Sequence, residues 1–167
     1  MKKVLSIISL MAVLLTANAQ GLWQKHELEA DELKGQKAET AYIYTNPDVG
    51  SFICWGFENY QIRLISEKAQ FDITAGYSSM TGSYAFVKVL VGIYDDNDKL
   101  LEKFEMGFDR EDNKANHFIK ATTSRIGHKK MMKKIFAALQ SGSGYVRMVA
   151  PRYNTTDFDL KITPYME

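Results

Sequence analysis

Apolar and polar residues alternate with a period of two along most of this chain, which constrains its fold more than any other feature. Residues 41–45 are β-branched and aromatic, and turn-forming residues follow them. Residues 51–57 form a continuous apolar run, which suits a strand buried on both faces. Residues 86–94 and 100–108 flank an acidic turn as a hairpin would. These short runs, about eight in number and each closed by turn-forming residues, predict a mainly β chain.

One segment has a helical period instead. Residues 128–140 carry Met131, Ile135 and Leu139 at intervals of four, and the glycine-rich residues 141–144 then end the pattern. An isolated helix of about thirteen residues is marginal in water, so we expect these three side chains to be buried against a sheet. The strands and the helix together favour an antiparallel β-sandwich or barrel with one α-helix in the C-terminal third.

Residues 1–19 have the layout of a secretory signal peptide. Lys2 and Lys3 precede an apolar stretch, and Ala17-Asn18-Ala19 provides the small residues of a cleavage site. The apolar stretch is shorter than the roughly 20 residues that a permanent membrane span needs. We therefore expect cleavage after Ala19 and export to the periplasm or the cell exterior. The mature chain, residues 20–167, should be a single β-rich domain without a transmembrane anchor.

Composition narrows the choice of partners. Loss of Lys2 and Lys3 leaves 19 of the 21 basic residues against 20 acidic ones, so the formal net charge falls from +1 to −1. A chain so close to neutrality has no global attraction for nucleic acid, and no nucleic-acid partner is expected. Cys54 is the single cysteine, so no intramolecular disulfide can form. Its apolar neighbours favour a buried thiol over a reactive thiol or an intermolecular bridge.

Sequence signatures of catalysis and metal binding are missing. His26, His117 and His128 do not fall at metal-ligand spacing, and the acidic turn that begins at Asp95 lacks the Gly and Glu of an EF-hand loop. Gly142-Ser143-Gly144 follows a helix, so it reads as a helix stop and not as a nucleophile elbow. We expect no catalytic residue, metal or cofactor, and we favour a protein that is not an enzyme.

A basic surface on the helix is the first candidate binding site. Lys129, Lys130, Lys133 and Lys134 lie away from the apolar stripe, and Arg125 precedes them. Lysines in the first turn oppose the helix dipole, which suits a surface for an anion or an acidic partner. The alternative is a solvated face that keeps the protein soluble.

Aromatic residues are the second candidate. Trp55 and Tyr77, together with Tyr60 and Tyr84, could stack on sugars or hold a peptide, and residues 77–80 look like a loop. The alternative is that these rings fill the core of a small β domain, which is their usual place.

The order of features at the two ends resembles that of two groups of secreted bacterial proteins. Trp23 lies near the expected mature start and Asp31-Glu32-Leu33-Lys34-Gly35 follows it. The helix end at 138–142 leads into residues 145–151, and Phe158-Asp159-Leu160 comes last. This order is similar to the VasI/TagO-like β-sandwich proteins that accompany type VI secretion and to the invasion-associated protein B group. Those families usually carry paired cysteines, whereas this chain has one. The resemblance implies a sandwich with an envelope role, and it supplies no active-site residues.

The sequence therefore predicts a secreted or periplasmic, non-enzymatic binding or accessory protein of a bacterial envelope, with a protein or glycan partner. The alternative is a small secreted hydrolase that uses a carboxylate pair hidden among ordinary carboxylates. A deep cleft with two carboxylates about 5–9.5 Å apart would favour the hydrolase. A third hypothesis, a self-associating structural protein, requires a long uncovered edge strand.

Overall fold

The alternating segments fold into one antiparallel β-sheet, with a helix packed against it. The computed structural model describes residues 22–30, 37–72, 75–79, 82–110 and 117–166, with the backbone alone for 75–79 and 82–85. The strands are β1 (Leu22–Leu28), β2 (Glu39–Asn46), β3 (Gly50–Trp55), β4 (Ile62–Ser66), β5 (Ala75–Ser79), β6 (Gly82–Tyr94), β7 (Leu100–Arg110), β8 (Phe118–Ala121), β9 (Tyr145–Ala150) and β10 (Phe158–Ile162). The helix, α1, spans His128–Leu139. The mainly β class and the helix in the C-terminal third are confirmed, whereas the expected signal peptide lies outside the described residues.

The sheet is continuous but not closed. Its strand order is β1-β2-β3-β4-β8-β7-β6-β9-β10. Strand β5 lies outside this order and pairs antiparallel with the N-terminal residues of β6. The strongly paired β6 and β7 form the hairpin that the acidic turn predicts. The sheet curves far enough for β10 to face β3, where a Cβ on Gly50 would lie 3.0 Å from the Phe158 ring and overlap the Ile65 carbonyl oxygen. Gly50, with φ of 146°, thus allows a close approach that any side chain would block.

The concave face of the sheet holds the core. Alternate residues of β6 (Val87, Val89 and Val91) are fully buried, as the strand period requires. Phe52 and Cys54 of β3 point to the same side and are also fully buried. Burial of Cys54 is therefore confirmed.

Helix α1 packs against this face, although its buried stripe is rotated from the predicted one. Ile135 and Leu139 are fully buried as predicted, whereas Met131 is only half-buried, so that part of the prediction is wrong. Successive helix residues are rotated by about 100° about the helix axis, and Met132 and Phe136 are buried beside Ile135 and Leu139. The buried stripe is therefore centred closer to Met132 and Phe136 than to Met131. Met131 is left at the margin. Among the described residues, no helix is long and apolar enough to cross a membrane.

Some strands differ from those that the pattern indicates. Strands β5 and β8 were not expected, and β1 falls in residues 22–33, where the loose spacing of Leu28 and Leu33 fits either a weak helix or a strand. In β1 only Trp23 is half-buried and the other residues are exposed, so no clear alternation marks it. Apolar and polar residues also alternate over residues 71–74, but Phe71 forms only an isolated bridge with Arg152, and residues 73–74 lie outside the described part.

Candidate functional site

The loop between β3 and β4, residues 56–61, lies along α1. Gly56 has φ of 66° and Tyr60 has φ of 44°, so both adopt the left-handed conformation. Glycine tolerates this conformation, whereas a bulky residue pays a strain that its surroundings must offset. The Tyr60 ring stacks on the Phe136 ring at a centroid distance of 6.2 Å, and Phe57 meets the same ring edge-on at 5.7 Å. Aromatic packing against the helix thus holds the loop in place.

Two of the predicted lysines meet at Tyr60. The ammonium nitrogens of Lys129 and Lys133 lie 5.3 and 5.9 Å from the centroid of the Tyr60 ring. Spacing of four residues puts both on one side of the helix, and each lies within cation–π range of the ring. Both side chains are exposed, as is that of Lys130 between them. None of the three has a carboxylate partner in the part of the chain that the structure describes. We call Tyr60, Lys129, Lys130 and Lys133 the lysine–tyrosine surface.

The other two predicted basic residues contact acidic side chains of β7. Lys134 is half-buried and pairs with Glu102, while an Nη2 atom of Arg125 lies 2.6 Å from Asp109 Oδ1. The Arg125 guanidinium also covers the Phe86 ring, at 4.7 Å from its centroid. These contacts connect the start and the middle of α1 to the sheet. Lys134 and Arg125 are therefore engaged by groups of the same chain.

The start of helix α1 has no acidic side chain that could compensate the positive charge of its lysines. Its N-cap residue is Gly127 with φ of 84°, which provides no side-chain cap, and its first turn carries no acidic residue. His128 is buried, and its Nδ1 lies 3.0 Å from the Thr122 carbonyl oxygen. Burial lowers the pKa of His128, and the charge of Arg125 acts in the same direction, while the Thr122 hydrogen bond opposes them. His128 is therefore an anchor of the helix start that favours its neutral form.

The aromatic candidates lie elsewhere. Trp55 alternates with the buried Cys54, so it points to the convex face, where the Arg63 guanidinium lies 4.7 Å from its ring centroid. Tyr77 belongs to β5 and pairs with Tyr84 of β6, so the expected loop is a strand over residues 77–79. The structure does not describe the Tyr77 side chain. Neither residue joins the lysine–tyrosine surface among the described contacts.

Sequence reasoning missed a groove beside this surface. Rings of Tyr42 and Phe57 form its floor, with centroids 4.7 Å apart, and it encloses about 380 Å³. Its polar lining comes from β2, from the β3–β4 loop and from the residue after α1. These residues are Glu39, Thr40, Glu58, Asn59 and Gln140. No local pattern could have grouped them, because a hundred residues separate the ends of this set and only the tertiary fold joins them.

Reactive groups do not gather in the described part of the chain. The Cys54 thiol is fully enclosed, and burial raises its pKa to about 12, so it is a poor nucleophile. His117 Nδ1 lies 3.3 Å from the Ser66 carbonyl oxygen and is engaged there. In the described ranges, no three His, Cys, Asp or Glu side chains come close enough to hold a metal ion.

No protein family, curated protein or solved structure matches the chain. The ligands that the surface could bind therefore follow from its own functional groups. Ammonium groups donate hydrogen bonds and attract anionic oxygens, and the Tyr60 hydroxyl can donate or accept one. Such a set has the donors that carboxylate, sulfate or phosphate groups require.

Proposed function

We propose that this chain is an exported, non-enzymatic binding or accessory protein of a bacterial envelope, and that its lysine–tyrosine surface binds an acidic partner. The observation that carries the proposal is the position of Lys129 and Lys133 over one aromatic ring, at 5.3 and 5.9 Å, without a carboxylate beside them. Like charges four residues apart on a helix repel each other, and an anionic group bound by both would relieve that repulsion. Export to the periplasm or the cell exterior rests on the layout of residues 1–19.

The strain at Tyr60 supports the same surface. A tyrosine with φ of 44° is costly by about 1–3 kcal/mol, and such strain tends to occur where a ligand or partner is held. The loop conformation brings the ring under both ammonium groups, so it positions the surface before any partner arrives. A solvated helix face would need no such loop.

Removal of the positive charges tests this proposal. Lys129, Lys130 and Lys133 are replaced together by Gln, and the protein is applied to immobilised poly-glutamate and to immobilised heparin. The matched control replaces three exposed lysines elsewhere, Lys37, Lys68 and Lys99, with the same loss of charge. We expect wild type and control to be retained on at least one matrix, and the surface variant to elute early. Poly-glutamate retention indicates an acidic protein partner, and heparin retention an acidic glycan.

Salt dependence gives a second readout. Attraction to an acidic matrix should weaken as the Debye length falls below about 8 Å, and it should weaken more for the wild type and the control than for the surface variant. If the surface variant and the control elute together at every salt concentration, the lysines form a solvated face only. Folding of each variant is checked by thermal unfolding, which exposed charges should barely change.

We also propose a sandwich as the finer architecture, as the resemblance to the VasI/TagO-like and invasion-associated protein B groups implies. Its support is the approach of β10 to β3, together with the position of Trp23 on β1 and of Phe158-Asp159-Leu160 on β10. An experimental structure that shows β1 hydrogen-bonded to β10 would indicate a barrel instead.

A small hydrolase is the second candidate, because Glu39 and Glu58 line the same groove. Cleavage of fluorogenic glycosides by the wild type, lost in both Glu39→Gln and Glu58→Gln, would favour it over a binding protein. We expect no turnover above the buffer rate.

A further inference from the structure

The groove beside the lysine–tyrosine surface has the size and the lining of a separate ligand site. Its volume of about 380 Å³ falls within the range of small-molecule sites, roughly 300–1,000 Å³. The rings of Tyr42 and Phe57, tilted by 35° to each other, form an apolar floor within a lining that is otherwise mostly polar. Polar side chains surround that floor.

The floor is fixed by contacts beneath it. The Tyr165 ring packs edge-on against Tyr42 at 4.9 Å, and its backbone N–H donates to the Leu139 carbonyl oxygen at 2.8 Å. Phe57 packs on Phe136 of the helix at 5.7 Å. Rings held in this way lose little freedom on binding, which favours affinity.

The rim chemistry selects the class of ligand. Glu39 and Glu58 can only accept hydrogen bonds when ionised, while the Asn59 and Gln140 amides can donate and accept. Among the residues that the structure describes, the charged side chains lining the groove are the carboxylates of Glu39 and Glu58, which repel an anionic ligand. A wholly apolar ligand would strip water from the carboxylates and offer no hydrogen bond in return. A polyol with one apolar face satisfies both the rim and the floor.

We propose that this groove binds a neutral pyranose unit of a glycan. The C–H face of the sugar ring lies on Tyr42 and Phe57, and its hydroxyl groups donate to the two carboxylates. The amides of Asn59 and Gln140 complete the hydrogen bonds. This site is independent of the lysine–tyrosine surface, since it shares no residue with it.

Titration with three neutral probes (chitotriose, cellotriose and maltotriose) tests the proposal by calorimetry or ligand-observed NMR. We expect at least one probe to bind the wild type. Asn59→Ala and Gln140→Ala should each weaken that binding by about tenfold, the usual effect of a lost hydrogen bond to a bound ligand. Both side chains are exposed, so these variants should fold normally. Trp55→Ala, on the convex face, is the matched aromatic control and should bind as the wild type does.

Three outcomes overturn the inference. Either none of the three probes binds the wild type, or both amide variants bind as well as the wild type. Binding of spermidine in place of all three sugars would assign the groove to a cationic ligand and also overturn it. The variant lacking Lys129, Lys130 and Lys133 should keep its sugar binding, which separates failure of this site from failure of the acidic-partner proposal.

Discussion

Cys54 lies in the core and His128 is buried at the start of α1, and both side chains lose their usual chemistry there. Burial raises the pKa of the thiol to about 12 and lowers that of the imidazole. Each group is thereby held in its neutral form at physiological pH, which is the form that costs least to bury. At the scale of single residues the core thus favours stability over reactivity.

Native protein should resist thiol reagents at pH near 8. The thiolate is the reactive species, and with the pKa of Cys54 raised from 9.0 to about 12 almost none is present. We expect Ellman's reagent to label the folded protein negligibly and the denatured protein fully. Because folding raises this pKa, Cys54 contributes stability that is present below pH 9.0 and is lost as pH rises towards 12. Rapid stoichiometric labelling under native conditions would contradict the prediction.

His128 should make the protein less stable in acid. Its folded pKa lies below the ordinary value of 6.5, so its contribution is present above pH 6.5 and is lost as pH falls through the folded pKa. Chemical denaturation on either side of pH 6.5 measures the effect. His128→Gln should reduce this pH dependence, whereas replacement of the exposed His26 by Gln should leave it as in the wild type. Equal profiles for all three proteins would contradict the assignment.

Helix α1 is the element on which both the core and the lysine–tyrosine surface depend. Its buried stripe of Met132, Ile135, Phe136 and Leu139 faces the sheet, and its exposed side carries the lysines. The ion pairs of Arg125 and Lys134 add little, because both remain partly open to solvent and pairs at the surface contribute about 0–1 kcal/mol. Apolar packing therefore accounts for most of the attachment of this element.

Leu139→Ala should lower the free energy of unfolding by about 2–5 kcal/mol, because its fully buried side chain leaves a cavity when truncated. Met131→Ala should have a clearly smaller effect, since Met131 is only half-buried. Urea denaturation of the two variants provides the comparison. Equal losses would show that the helix packs in a different orientation.

Periodicity predicted the elements that have one buried face. Helix α1 and the β6–β7 hairpin were visible because their apolar residues recur at the period of the element. Strand β1 was ambiguous since most of its residues are exposed on both faces, and the four residues of β8 are too few to show a period. The pairing of Lys134 with Glu102 on a distant strand has no local signal, so only the fold could divide the predicted basic residues into two groups.

At the scale of the whole molecule, the described strands form a curved sheet whose order ends at β1 and β10, with β5 paired to β6 beside that order. In the described residues the outer edge of β1 has no neighbouring strand, but Lys25 and Glu27 on it form an ion pair at 3.4 Å. Charged side chains on an edge strand disfavour pairing with a second chain. The self-associating hypothesis thus gains little from this edge.

Processing is also a property of the whole chain. We expect protein secreted from a bacterial host to lack residues 1–19, because Ala17 and Ala19 fit the small-residue requirement of signal peptidase. Intact-mass measurement gives the mature start directly. Ala19→Arg should block cleavage and serves as the matched control. A secreted wild-type form that still begins at Met1 would contradict the proposal.

The Trp23 indole donates to the Thr163 carbonyl oxygen at 2.8 Å across 140 residues, and the Tyr165 N–H is bound to Leu139. One short segment thereby ties the first strand to the helix. This link needs both ends of the chain at once, whereas the β1–β2 pair needs only neighbouring residues. Contacts of such long range are slow to form, so we expect the β1–helix connection to be completed late in folding.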